Sequence, residues 1–301
     1  MTTQHPDSSA RHRGADLGLP VFLILVTCLT LATDRLEAQG LGNDLLLLSN
    51  GSTVLSSDLP LVDLQPDRTL DAFVTGMTFT SGRLLALEVT YDGTQAEAQV
   101  VEVDAAGALT LLFPLPLETG EDPVDMIFGP DGQLWVLSEW LTQWNPPEVA
   151  YRLVAYSLDT GEPTATVPLE GTPWVLAPST LGLWLLDHEL GLSHVDLLGT
   201  QGLRVGTLDF DGIGLPIDAD SDSSGAIWFA TEPGFVDPPL FSLWRFDPAS
   251  GLLELVESTL PIAPVSVAIE QVGSDPGGDG PGSKQAGPGP RPPQPRGSQG
   301  R

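Results

Sequence analysis

The sequence predicts an all-β fold, and three observations carry the prediction. Seventeen residues recur without a gap, PVDMIFGPDGQLWVLSE at 123–139 and PIDADSDSSGAIWFATE at 216–232. Both open on Pro, a β-branched residue and Asp, place Gly tenth and Trp thirteenth, and close on Glu. Short apolar runs bounded by turn residues recur along the chain: LLLLSN (45–50), LLALE (84–88), LWVLSE (134–139), LWLLDH (183–188) and IWFATE (227–232). Runs such as LWVL do not alternate with polar residues, which is how a strand covered on both faces reads. No segment sustains a 3.6-residue apolar period, so no helix is required.

Taken in order, each repeat builds one unit. A Pro opens the first strand in PVDMIF (123), PWVLAP (173), PIDADS (216) and PVSVAI (264). A turn follows; PDG (130–132) and SSG (223–225) have the composition of a tight hairpin turn. The apolar run is the second strand. A third strand then ends on an apolar residue, Asp and a turn, as in VDLQPD (62–67), VDAAG (103–107), LDTG (158–161), VDLLG (195–199) and FDPASG (246–251). A fourth strand leads to the next unit. Four-stranded units recurring every 40–50 residues or so specify a β-propeller. Five second strands and five third-strand turns count five blades; a sixth would have to hide in a loop. The body begins at GNDLLLLSN, a second strand, and stops at PVSVAI, a first strand. The C-terminal inner strand is therefore expected to complete the blade begun by the N-terminal three.

The ends of the chain read differently. Residues 1–16 are polar and carry Arg11 and Arg13, LGLPVFLILVTCLTLA (17–32) is apolar, and the small residues Ala32 and Ala38 follow. That order is the secretory signal pattern, and the run is shorter than the roughly 20 residues of a membrane span. Residues 1–38 are thus expected to be a leader, and the mature protein secreted or periplasmic. The alternatives are an uncleaved membrane anchor and a lipoprotein attached through Cys28 in LVTC. Cys28 is the sole cysteine, so a mature chain without it has no disulfide, zinc-thiolate site or thiol nucleophile. Residues 273–301 are Gly, Pro, Ser and Gln with scattered cations, a composition that predicts disorder.

The body, residues 40–272, carries 34 acidic residues against five arginines and no lysine, an excess of 29 negative charges. Such a surface excludes nucleic acid and anionic lipid, whose phosphates demand cations. It suits solubility in a salty or extracellular medium, with a polycation partner as the other reading. A single propeller of this kind is expected to be a monomer.

Hairpin geometry places the start of each first strand and the end of each second strand at one rim of the central channel. The second strands end on Asn50, Glu88, Glu139, His188 and Glu232. The third position of the Pro motif holds Asp125, Asp218 and Ser266, with Val175 in the remaining blade. Carboxylates around a shared hole repel, and a hard cation, a proton or water would offset that. Glu88, Asp125, Glu139, Asp218 and Glu232 are therefore candidate ligands for Ca2+ or another divalent cation, which takes 6–8 oxygens. Asp218, Asp220 and Asp222 spell D-x-D-x-D, yet an EF-hand loop would need Gly at Ser223 and Glu at Phe229, so the segment reads as strand running into turn. His188 is the candidate general base by its place beside the acids. The segments EWLTQWNPP (139–147) and EPGFVDPP (232–239) read as loops. They would hold Trp140, Trp144 and Phe235 over the rim, where rings beside carboxylates suit a carbohydrate or other amphipathic ligand. NGS (50–52) is a glycosylation sequon. A phosphate-binding Gly loop, a zinc His pair and a G-x-S-x-G elbow are all missing from the sequence.

The two long repeats resemble those of the streptogramin lyase, NHL and SMP-30/gluconolactonase propellers, which share the Pro at the inner strand, the Pro-Asp-Gly-like turn and the Leu-Trp that follows. The resemblance covers most of 45–270. It implies the propeller, and it implies a divalent metal held by acids and an Asn near the inner-strand starts. Asp125 and Asp218 stand third after Pro, where those motifs place the acid second. Two classes of function follow. One is an exported non-catalytic propeller that binds a small molecule, carbohydrate or protein on its acidic rim. The other is a metal-dependent hydrolase or lyase of the kind the resemblance implies.

Overall fold

The computed structural model describes residues 44–60, 62–92, 95–144, 147–187, 191–196, 213–232 and 240–271. These residues form nineteen strands and no helix. Blade A joins β1 (Leu45–Ser49), β2 (Thr53–Asp58) and β3 (Gln65–Thr69) to the C-terminal β19 (Ser266–Glu270). Blade B holds β4 (Gly76–Thr80), β5 (Arg83–Asp92), β6 (Gln95–Val103) and β7 (Leu109–Pro114). Blade C holds β8 (Glu121–Phe128), β9 (Leu134–Trp144), β10 (Pro147–Tyr156) and β11 (Pro163–Leu169). Blade D holds β12 (Pro173–Ser179), β13 (Gly182–Asp187) and β14 (Gly191–Asp196). Blade E holds β15 (Leu215–Ser221), β16 (Ile227–Glu232), β17 (Ser242–Asp247) and β18 (Leu252–Glu257). The molecule is a five-bladed β-propeller. Blade D shows three strands among the described residues, and its expected fourth falls at 197–212, outside them.

The unalternating runs are explained by the packing. Leu46 and Leu48 enter the core between blades E and A, while Leu47 enters the core between A and B. Each face of a second strand thus feeds a different interface. Five apolar clusters fill the five blade interfaces, A–B, B–C, C–D, D–E and E–A. Fully burying a Leu or Phe side chain is worth about 1.5–3 kcal/mol, so these interfaces dominate the stability. The ring closes as expected: β19 pairs antiparallel with β1, from Leu45 opposite Glu270 to Ser49 opposite Ser266.

Two turns show why their residue types recur. Gly132 and Gly225 sit at φ 79° and 81°, a left-handed conformation that costs a side-chain-bearing residue but not glycine. The recurrent Trp depends on the same turns. Trp135 Nε1 donates to both oxygens of Asp131 at 3.2 Å, and Trp228 Nε1 donates to Asp222 Oδ2 at 2.8 Å. A buried indole N–H needs such a partner.

Candidate functional site

Inner strands β4, β8, β12, β15 and β19 line the channel, each with one edge paired to its own blade and the other facing the axis. A free edge exposes N–H groups that must be satisfied. The Pro within the first three residues of β8, β12 and β15 has no N–H to give. The pairing slips by one residue just after it, at Val124, Trp174 and Ile217. Such a bulge re-aims the next side chain. The third residue is what it aims, and the ring at that level reads Gly76, Asp125, Val175, Asp218 and Ser266.

Asp125 and Asp218 are both buried, at 5% and 3% exposure. Met126 N–H donates to Asp125 Oδ1 at 2.6 Å, and Leu176 N–H, on the next blade, donates to Oδ2 at 2.6 Å. Ala219 N–H donates to Asp218 Oδ1 at 2.8 Å, and Val267 N–H to Oδ2 at 2.6 Å. Asp220 repeats the device one layer deeper, with Ser221 N–H on Oδ1 at 2.7 Å and Ile269 N–H on Oδ2 at 2.7 Å. Each carboxyl bridges its own inner strand to the next. Thr78 links blades B and C in the same sense, accepting from Phe128 N–H at 3.0 Å.

Desolvation drives the Asp125 pKa up to about 6 and that of Asp220 up to about 7, against the backbone donors that hold them down. Desolvation first, and then the charge of Asp125, push Asp218 well above the carboxylate range. Asp125 and Asp218 are near enough to hydrogen-bond to each other. Ser266 Oγ approaches Asp218 without making hydrogen-bond geometry with it.

The structure separates the acids that the sequence grouped. Asp125 and Asp218 lie inside the channel, not on an open rim. Glu88 and Glu139 are not at strand ends: β5 continues to Asp92 and β9 to Trp144. The loop expected after Glu139 is instead strand, because Trp140–Trp144 pairs with Pro147–Ala150, through a bulge at Thr142, as a raised hairpin. Glu88 accepts from Gln99 Nε2 at 2.6 Å, and Glu139 receives the Tyr151 hydroxyl. Glu232 ends β16, exposed. Trp140 is half-buried beneath Arg152, with the guanidinium carbon 5.5 Å from the ring centroid. Trp144 closes β9, and its side chain lies outside the description. His188 and Phe235 are outside the described residues.

A hard divalent cation needs converging free oxygens. All four oxygens of Asp125 and Asp218 accept backbone N–H, and no three His, Cys, Asp or Glu side chains gather as a ligand group among the described residues. Among the described residues these acids do not gather into a ligand set for that cation.

Sequence reasoning missed Asp220 as a bridge, and it missed Tyr91, Asp122, Tyr151 and Arg152 on the raised face. The continued alternation of Ala96 and Ala98 with polar residues was the available signal for the longer hairpin of β5 and β6.

No protein-family model and no curated protein matches the sequence. Among solved structures, the chain is similar to a gluconolactonase from Xanthomonas campestris at 20% identity and TM-score 0.45, over 69% of each chain. It is similar to a protein of unknown function from Bacteroides caccae at 10% identity and TM-score 0.40, over 72% of this chain and 74% of that one. It is also similar to the hydrazine synthase of Kuenenia stuttgartiensis at 12% identity and TM-score 0.40, over 68% of this chain and 65% of that one.

Proposed function

We propose that the chain is an exported, non-catalytic propeller that binds a ligand or protein partner on the face where two hairpins, β5–β6 and β9–β10, rise beyond their blades. The observation that carries this reading is how the acids are used. The channel carboxyls are committed to backbone N–H groups that join blades, which is structural work. The raised hairpins present Tyr91, Trp140 and Glu139 outside the five cores, and Asp122 on β8 stands opposite Glu139. Rings beside acids offer an apolar surface together with charge, a combination that orients a ligand. The test is a binding panel of glycans and peptides read with the full chain and with Tyr91→Ala, beside a turnover panel of lactones. A ligand lost in the variant supports the reading. Lactone turnover abolished by Asp125→Asn, with no ligand found, overturns it.

A further inference from the structure

At the end of the ring opposite the raised hairpins, a cleft opens between the outer strands of blade E and the turn after β2 of blade A. Its volume is about 440 Å3, within the roughly 300–1,000 Å3 of ligand sites. Pro60 lines one side, and Trp228, Arg245, Glu254, Leu255 and Val256 line the other. Trp228, Arg245 and Glu254 are successive cross-strand neighbours on β16, β17 and β18. Arg245 is the unusual member, with its side chain 8% exposed. The guanidinium stands 3.6 Å from Asp222 and from Glu254, too far for a hydrogen bond. It makes one hydrogen bond, to Ser224 Oγ at 3.4 Å, and Nε has no partner among the described residues. A guanidinium carries five N–H donors, and leaving them unpaired in a buried place is costly. The cleft is thus short of acceptors. Its charge is negative all the same, because two carboxylates face one guanidinium and Glu254 is 42% exposed.

The chain carries its own acceptor-rich, cationic segment. PGPRPPQPR (288–296) holds five prolines and two arginines. Such a run favours the polyproline II helix, which makes no internal hydrogen bonds and leaves its carbonyls open. Proline adds no N–H of its own. Residues 280–301 carry four cations and no acid, against the 29 excess negative charges of the body. The described chain also leaves at the right place. Gln271 Nε2 donates to Ser221 O at 2.9 Å, so the end of β19 lies at the junction of blades E and A. That is the junction and the end of the ring where the cleft opens. Three strand spacings, about 15 Å, separate β15 from β18. Residues 272–287 join Gln271 to the segment, and a Gly-rich chain of that length spans about 20 Å.

We propose that residues 288–296 dock in this cleft of their own chain as a polyproline II segment. Its carbonyls supply the acceptors that Arg245 lacks, its arginines pair with Glu254, and its proline rings rest on Pro60 and Val256. Grooves with an apolar floor recognise Pro-rich segments in this way, because the ligand is ordered before it binds. A tether that matches the span holds the segment at an effective concentration on the order of millimolar, so weak recognition suffices within one chain. The contact lies at the far end of the ring from the binding face proposed above and does not rest on it.

The test is limited trypsin digestion of the full chain, read by mass spectrometry as the initial rate of cleavage after Arg296. Lys284→Gln is carried throughout so that the tether is not cut, and a synthetic peptide of residues 285–301 gives the undocked rate. Cleavage in the full chain is expected to be about threefold slower than in the peptide, or more, as an effective concentration a few times above Kd would give. Glu254→Gln should restore the peptide rate. So should Pro292→Gly with Pro293→Gly, which keeps the charge and removes the preformed helix. Glu162→Gln makes the same charge change on the exposed β10–β11 turn of blade C and should leave the protection intact. Near-ultraviolet circular dichroism checks that the Glu254 and Glu162 variants are folded, and the proline pair lies outside the propeller. Cleavage at the peptide rate in the unsubstituted cleft would overturn the proposal. So would equal loss in Glu162→Gln, or protection that survives Glu254→Gln or the two glycines. Protection that grows with protein concentration would place the segment on a second copy and overturn docking within one chain.

Discussion

At the scale of the residue, the two indole partners are unequal. Asp131 is half-buried and serves Trp135 beside open solvent. Asp222 is 1% exposed, accepts from the backbone N–H groups of Ser224 and Ala226 and from Trp228, and stands 3.6 Å from the Arg245 guanidinium. Removing one member of a buried charged pair leaves the other uncompensated and costs about 3–5 kcal/mol, whereas losing an ordinary hydrogen bond costs about 1 kcal/mol. Asp222→Ala is therefore expected to destabilise the fold by about 3 kcal/mol and Asp131→Ala by about 1 kcal/mol. Urea unfolding measures both, and equal losses would show that the buried arginine plays no part. The Trp and the turn were legible in the repeat, but the bond between them was not. The two acids lie four and six positions before their Trp, so spacing alone does not single them out.

The element that matters most is the inner strand. Asp125, Asp218 and Asp220 have raised pKa values in the folded chain, so between about pH 4 and pH 7 they hold protons that the unfolded chain has released. Stability falls with rising pH wherever the folded state binds more protons. Their contribution is complete below the ordinary carboxylate pKa and is lost as pH climbs through about 6 to 7. Asp104 and Asp247 are shifted the other way, chiefly by a backbone donor on the first and the Ser250 hydroxyl on the second. Their contribution is present above about pH 4 and fades below it. The melting temperature should therefore peak near pH 4–5 and fall toward pH 8. Asp220→Asn should flatten the fall; an unchanged slope would mean that the channel carboxyls titrate normally. The sequence marked Asp125 and Asp218 as belonging together. It did not show their task, because the bulge after Pro and the N–H groups of the next blade exist only once the strands are paired.

At the scale of the molecule, stability and closure are one question. β19 places Val267 and Ile269 in the core between blades E and A and Ala268 in the core between A and B. It is held by β1 on one side and by Asp218 and Asp220 on the other. Ending the chain at Val265 removes all three attachments. The truncated protein is expected to lose its single cooperative unfolding transition, read by calorimetry; retention of the wild-type melting temperature would show that the ring stands open. Leu45 and Glu270 lie together at the end of the ring opposite the raised hairpins, so the described chain enters and leaves away from the proposed binding face.

The repeat, the doubly apolar runs and the matching of a C-terminal first strand to an N-terminal second strand determined the propeller, its five blades and its closure. Those properties are periodic and local, and periodicity survives in one dimension. Tertiary structure alone decided what the acids do. Whether a carboxylate in a channel ligates a metal, shares a proton or takes an N–H depends on which neighbour the ring brings within 3 Å. For Asp125 the neighbour is Leu176, fifty-one positions away. For Asp218 it is Val267, on the strand that closes the ring.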